Sequence, residues 1–263
     1  MAVNWRTLGG ALVVVLLMQG IAHALPVTLQ DAYQVGPDNC GSTACDVIGL
    51  QADFDINRIV FTSLSASNIT AQIYTNYHHG DASLSPWSEF GIPLQIGDLI
   101  FQNGTNRYAA PLHSHTGFNG QIYNAGQLYA VSNFYTAGEA LGHPTGVIYR
   151  PNELVQVEEG TLVGAGSVAT ACATGSNGCL PNQLIVTLMF APDSAFWNTL
   201  STSGMSVHFA GATCGNDVLD GNLTAVPEPG TLMLLGSGVV GLGLTWRRKF
   251  GRKTPAAELL APR

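Results

Sequence analysis

The sequence predicts an all-β protein: an antiparallel β-sandwich of jelly-roll or lectin-like type, flanked by an N-terminal signal peptide and a C-terminal transmembrane helix. Three observations point there. Short runs rich in β-branched and aromatic residues recur, separated by Gly, Ser, Thr and Asn. Residues 25–224 contain no long stretch with the 3.6-residue apolar spacing of a helix. Two apolar segments stand at the extreme ends of the 263-residue chain, which leaves one central stretch to fold. A chain of that length buries about 70% of its unfolded surface, so it needs neither metal nor disulfide merely to fold.

In chain order, the signal peptide occupies residues 1–24. Arg6 supplies its positive start, residues 11–18 (ALVVVLLM) its apolar region, and Ala22-His23-Ala24 a small-x-small site, with cleavage expected after Ala24. That apolar run is too short for a stable span. The exported β domain follows as residues 25–224. Its strand candidates are 58–64 (RIVFTSL), 68–77 (NITAQIYTNY), 98–102 (DLIFQ), 121–133 (QIYNAGQLYAVSN), 146–149, 161–168, 183–190 (QLIVTLMF) and 204–210 (GMSVHFA). One short helix is expected over 194–200 (SAFWNTL), after the Pro192-Asp193 start signal. Gly164-Ala165-Gly166 reads as a turn. No repeat or low-complexity linker interrupts the domain, and the only joint falls near 220–225.

Charge is unevenly placed. Residues 25–224 carry three arginines (Arg58, Arg107, Arg150), no lysine and fifteen acids, a net charge of −12. Nucleic-acid binding needs clustered Lys and Arg against phosphate and is excluded as a function class. An acidic, lysine-free surface suits solubility outside the cell and attracts divalent cations. Of the five cysteines, Cys40 with Cys45 and Cys172 with Cys179 bracket short loops of small and polar residues and are the disulfide candidates; Cys214 is left over. The spacings, with no nearby His, fit zinc poorly.

After Thr224 the chain reads in three parts. Val226-Pro227-Glu228-Pro229-Gly230 cannot be helix interior because of its prolines. Residues 231–246 are uncharged and rich in Leu, Val and Gly; as a helix they extend about 24 Å, short of the roughly 30 Å hydrocarbon core. Arg247, Arg248, Lys249, Arg252 and Lys253 follow and hold that end on the cytoplasmic side, with Trp246 at the interface. This order resembles the PEP-CTERM sorting domain, in which a Pro-Glu-Pro motif precedes a short transmembrane helix and an Arg-rich end. The resemblance implies recognition by exosortase, a multi-pass membrane cysteine protease-transpeptidase. It also implies that Pro227, Glu228 and Pro229, with Gly230 and the Arg247-Arg248-Lys249 cluster, form the sorting motif. It covers residues 226–249 within a 225–250 sorting segment, and 251–263 form a basic cytoplasmic tail. The chain departs from the pattern in that long tail, since such domains usually end soon after the basic cluster. A second likeness runs from Val207-His208-Phe209 through Cys214-Gly215-Asn216-Asp217, with Gly97-Asp98-Leu99-Ile100-Phe101, Tyr108-Ala109 and Tyr149-Arg150-Pro151. These are similar to segments of a subgroup of exosortase-dependent surface proteins, a likeness that speaks to location and architecture, not chemistry.

Chemistry-bearing motifs are sparse. His113-x-His115 would place two imidazoles on one face of a strand, where His78, His79 or Asp98 could complete a metal shell; the flanking Pro111 and Gly117 argue for a loop instead. Asp53-x-Asp55-x-Asn57 begins like an acidic calcium loop, but the sixth and twelfth positions are Arg58 and Leu64 where Gly and Glu are needed. A structural calcium ion elsewhere in the sandwich is compatible with the acidity; no other cofactor is expected. There is no G-x-S-x-G elbow and no phosphate loop. Trp87, Tyr123, Tyr129, Phe134 and Tyr135 could stack on sugars if they line a sheet face, although strand aromatics are more often core.

The reading that follows is a non-enzymatic surface or extracellular-matrix protein. It is exported, anchored in the cytoplasmic membrane before processing, then placed in the envelope or matrix, with exosortase, the membrane and extracellular polysaccharide as partners. The alternatives are a carbohydrate-binding or carbohydrate-active module, marked by an aromatic-lined groove, and a metal-dependent enzyme, marked by a third ligand converging on His113 and His115.

Overall fold

Hydrophobic and polar positions alternate strictly along Ile69–Thr75, and that period of two decides how the segment folds. Ile69, Ala71 and Ile73 are buried while Thr70, Gln72 and Tyr74 are half-buried, so one face of an extended strand meets the core and the other leans toward solvent. In the computed structural model, residues 26–31, 55–76, 95–140, 150–172, 184–212, 215, 217–224 and 236–238 are described. The chain divides into a unit of His23–Val226 and a second made of Met1–Ala22 with Pro227–Arg263. Of the second only 236–238 are described, and they are helical.

The described strands are β1 (Val27–Gln30), β2 (Ile56–Leu64), β3 (Ile69–Thr75), β4 (Asp98–Asn103), β5 (Asn106–Pro111), β6 (His115–Thr116), β7 (Ile122–Tyr123), β8 (Leu128–Thr136), β9 (Leu154–Gly164), β10 (Gly166–Cys172), β11 (Leu184–Phe190), β12 (Met205–Ala210) and β13 (Val218–Leu223). The described helices are α1 (Ala137–Ala140) and α2 (Ser194–Ser203). One sheet has the order β1-β2-β3-β11-β10, the other β13-β12-β4-β5-β8-β9, and β6 pairs with β7 as a small ribbon. Every pairing among the described strands is antiparallel. The architecture is therefore all-β.

Both large sheets feed one apolar cluster. Ile59, Phe61, Ile73, Val186 and Phe190 enter it from the five-stranded sheet, and Leu99, Phe101, Val207, Phe209 and Leu219 from the six-stranded sheet. The six-stranded sheet is covered on its other face too, where Ile100, Ala109, Tyr129 and Val157 pack with Tyr123 of the β6–β7 ribbon. That is why Asp98–Phe101 is buried without alternation. Helix α2 contributes to the main cluster. Asp193 caps it, accepting a 2.8 Å hydrogen bond from the Phe196 amide, a contact worth about 1 kcal/mol. The helix sets Phe196 edge-on to Phe101 at 5.2 Å, Tyr108 at 5.0 Å and Phe190 at 5.7 Å, so one ring bridges both sheets.

The chain passes from one sheet to the other at Ala165, the single residue between β9 and β10. The expected 161–168 strand is thus two strands in different sheets, and the glycines read as a turn form a corner. A Cβ on Gly164 would stand 2.3 Å from the Ala191 carbonyl oxygen, and one on Gly166 would stand 2.2 Å from the carbonyls of Gly126 and Met189. Only bare backbone fits such a crossing. The expected 121–133 strand is likewise divided into β7 and β8 by a turn at 125–126. Strands β1, β5, β6 and β13 and helix α1 are additional to the expected elements, and the expected 146–149 strand lies outside the described residues. Leu29 of β1 lies against Gly221 of β13, so the edge strands of the two sheets meet.

Candidate functional site

The residues expected to carry sorting, Pro227, Glu228, Pro229, Gly230, Arg247, Arg248 and Lys249, lie outside the described residues. So do Ala24, Cys40, Cys45, Cys179 and Cys214; Cys172 is described only as the last backbone position of β10. Among the described residues no helix is long and apolar enough to cross a membrane, and of the segment expected to do so only 236–238 are described.

The two candidate histidines differ in burial, His115 being half-buried and His113 exposed. His115, on β6, reaches back over the six-stranded sheet and donates from Nε2 to Asp98 Oδ2 at 3.0 Å. The same carboxylate oxygen accepts the Val157 amide at 2.8 Å, and Tyr123 packs 5.5 Å from the imidazole. His113 is exposed, in the connection between β5 and β6. Burial and the neighbouring His115 push its pKa down, against the opposing pull of Asp98. No third histidine, cysteine or carboxylate among the described residues joins them at metal distance, and His78 and His79 lie outside the described residues. His115 Nδ1 and Asp98 Oδ1 are buried without a hydrogen-bond partner. Among the described residues no hydroxyl or thiol is hydrogen-bonded to His115 Nδ1. The structural effect of the His115–Asp98 pair is to join β6 to β4 and β9.

A second histidine cluster was not anticipated. His208 on β12 is bound through Nδ1 to Asp220 Oδ1 at 2.8 Å and through Nε2 to the Leu154 carbonyl at 2.9 Å, with Glu153 Oε1 at 3.4 Å. Burial lowers its pKa, but the Asp220 hydrogen bond and charge, the Leu154 carbonyl and Glu153 outweigh burial and raise it overall.

The described residues contain one group of three potential metal-binding side chains: the carboxylates of Asp31, Asp55 and Asp217, whose oxygens lie within 4.8 Å of one another. Asp31 follows β1, Asp55 precedes β2 and Asp217 precedes β13. Local backbone geometry delivers each. The Asp31 amide donates to the Asn57 carbonyl at 3.2 Å. The Asp55 carbonyl accepts the Asn76 amide at 2.9 Å and the Thr75 hydroxyl at 2.9 Å. The loop carrying Asp217 is tied by the Gly215 amide to the Gly211 carbonyl at 2.8 Å, and Arg150 donates to the Gly215 carbonyl. Asp217 is 0% exposed, and its side chain accepts the amides of Ile56 and, at 2.8 Å, Val218. Asp55 is 9% exposed; burial, then the charge of Asp31, pushes its pKa up. Two carboxylate charges about 4 Å apart near a protein surface repel by about 4 kcal/mol, so convergence of three calls for a proton or a cation. Sequence reasoning reached Asp55 through the incomplete calcium loop and quoted Asp217 in the Cys-Gly-Asn-Asp segment; nothing local marks Asp31.

The aromatics considered for sugar stacking are mostly interior: Tyr123 is 0%, Tyr129 2% and Phe134 4% exposed, Tyr135 is half-buried, and Trp87 lies outside the described residues.

Compared with known proteins, the chain matches one family model, the PEP-CTERM protein-sorting motif, over residues 225–249. No curated protein and no solved structure matches it.

Proposed function

We propose that this chain, which carries a PEP-CTERM protein-sorting motif at 225–249, is an exported bacterial surface protein. In this reading exosortase processes its C-terminal segment and releases the β unit into the envelope or an extracellular polysaccharide matrix. The motif is the observation that carries the reading. It supports exosortase-dependent sorting, and its three parts suit that handling: prolines that keep the recognition stretch out of a helix, an apolar segment of marginal length, and a basic stop. The signal peptide with cleavage after Ala24 supplies export, and the apolar segment anchors the chain until it is cut. We read the two sheets and their common cluster as a sandwich of the jelly-roll or lectin-like type, acting as non-enzymatic cargo. The burial of Tyr123, Tyr129 and Phe134 favours this cargo role over a sugar-stacking groove.

The test compares full-length protein with a variant lacking residues 226–263 and with a P227A/E228A/P229A variant, each followed by cell fractionation in a host with exosortase and in one without. The full-length chain should reach the envelope or matrix in shortened form only where exosortase is present. The triple variant should stay unprocessed in the cytoplasmic membrane, and the truncated one should pass into the medium. Envelope retention of the truncated chain, or normal shortening of the triple variant, would defeat the reading.

A further inference from the structure

We propose that Asp31, Asp55 and Asp217 form a binding site for a calcium-like divalent cation that ties the two sheets together at their edge strands. The first observation is the convergence itself: three carboxylates from three separate segments, with oxygens within 4.8 Å, a spacing that one ion with 2.3–2.6 Å bonds can bridge. The second is independent. Asp55 is 9% exposed, yet its carboxylate accepts no hydrogen bond from any described residue, whereas Asp217 beside it accepts two backbone amides. Buried carboxylates are ordinarily paired or hydrogen-bonded. A nearly buried one turned toward two others, with its own backbone held by Asn76 and Thr75, has the arrangement of a ligand whose partner is an ion.

The donor set selects the cation class. All three ligands are hard oxygens, and no His or Cys among the described residues joins them, which suits calcium over zinc or copper. Water completes six to eight ligands. The placement supplies the consequence. Asp31 and Asp55 belong to β1 and β2 of the five-stranded sheet, and Asp217 leads into β13 of the six-stranded sheet. One ion there crosslinks the first strand, the second and the last. Calcium sites of extracellular modules bind in the range of about 10⁻⁴–10⁻³ M, which fits a domain completed after export.

The experiment uses the purified full-length protein in detergent micelles and follows thermal unfolding in EDTA, in 10 mM calcium chloride and in 10 mM magnesium chloride. Calcium titration calorimetry runs in parallel. Calcium should raise Tm by about 3–10 °C over EDTA and bind one equivalent. D55N removes one charge and keeps the backbone contacts. Its Tm in EDTA should equal or exceed that of the unaltered protein, while its calcium shift falls to below about 1 °C. D31N, at the more exposed position, should behave alike and serves if D55N does not fold. An unaltered Tm with no calorimetric binding overturns the proposal. So does a calcium response of both variants equal to that of the parent, or a magnesium shift as large as that of calcium.

Discussion

His208 has an acceptor at each ring nitrogen, Asp220 on one side and the Leu154 carbonyl on the other. Both bonds can be donated at once only by the imidazolium, since neutral imidazole carries a single N–H. The pKa of His208 is raised on folding, so its contribution is complete below about pH 6.5 and is lost as pH rises through the raised value. Asp220 is lowered, chiefly by its His208 bond, so its share is present above about pH 3.9 and lost as pH falls through its folded value. The window of full effect lies between these two limits. Asp220 is 74% exposed, so solvent screening limits the pair to about 0.5 kcal/mol. H208Q should therefore lose more stability relative to the parent at pH 5.5 than at pH 8.5, measured by urea unfolding at both pH values. An equal loss at both would assign His208 to packing alone. At this scale the sequence was partly legible. Asp98 was one of three residues that could complete a metal shell with His113 and His115; in the structure it hydrogen-bonds His115. The convergence of Asp31 with Asp55 and Asp217 was not legible, because three carboxylates distant in the chain meet only once both sheets have formed.

At the scale of elements, strands rich in Val, Ile and Phe stood out in the sequence, and the structure places β2, β3, β4, β11 and β12 at or within two residues of their expected bounds. Helix α2 also begins where Pro192-Asp193 said it would, because the cap is a local device. The strands that escaped notice have local reasons. β5 (NRYAAP) has weak β propensity and ends in proline, and β13 (VLDGNL) contains Asp-Gly, a turn signal that tertiary pairing with β12 overrides. The corner at Ala165 escaped because its glycines signal a bend without saying that the bend changes sheets. Its packing makes a sharp expectation. A side chain at Gly166 would collide with the Gly126 and Met189 carbonyls at 2.2 Å. G166V should cost about 3 kcal/mol or prevent folding, seen as a lowered urea midpoint. A midpoint within error of the parent would show that the two strands can separate at the corner.

At the scale of the whole molecule, charge and hydrophobicity are partitioned along the chain. The central 25–224 stretch carries −12, while Arg6 and the Arg/Lys-rich C-terminus hold all the remaining Lys and Arg. Cleavage at both ends would leave a strongly acidic product with no lysine. Mass spectrometry of mature protein from exosortase-bearing cells should find a chain that starts at Leu25 and lacks residues 247–263. A mass that retains the arginine cluster would oppose processing. One topological detail bears on how such a molecule hangs from its anchor. β13 is the outermost strand of its sheet and runs, within two residues of Leu223, into the 225–249 segment. Traction on the tether is thus delivered first to a six-residue border ribbon bonded only to β12 within its sheet. Load borne by the 225–249 segment would reach this last strand first, and a clasp at Asp217 would sit at the far end of that ribbon from the pull.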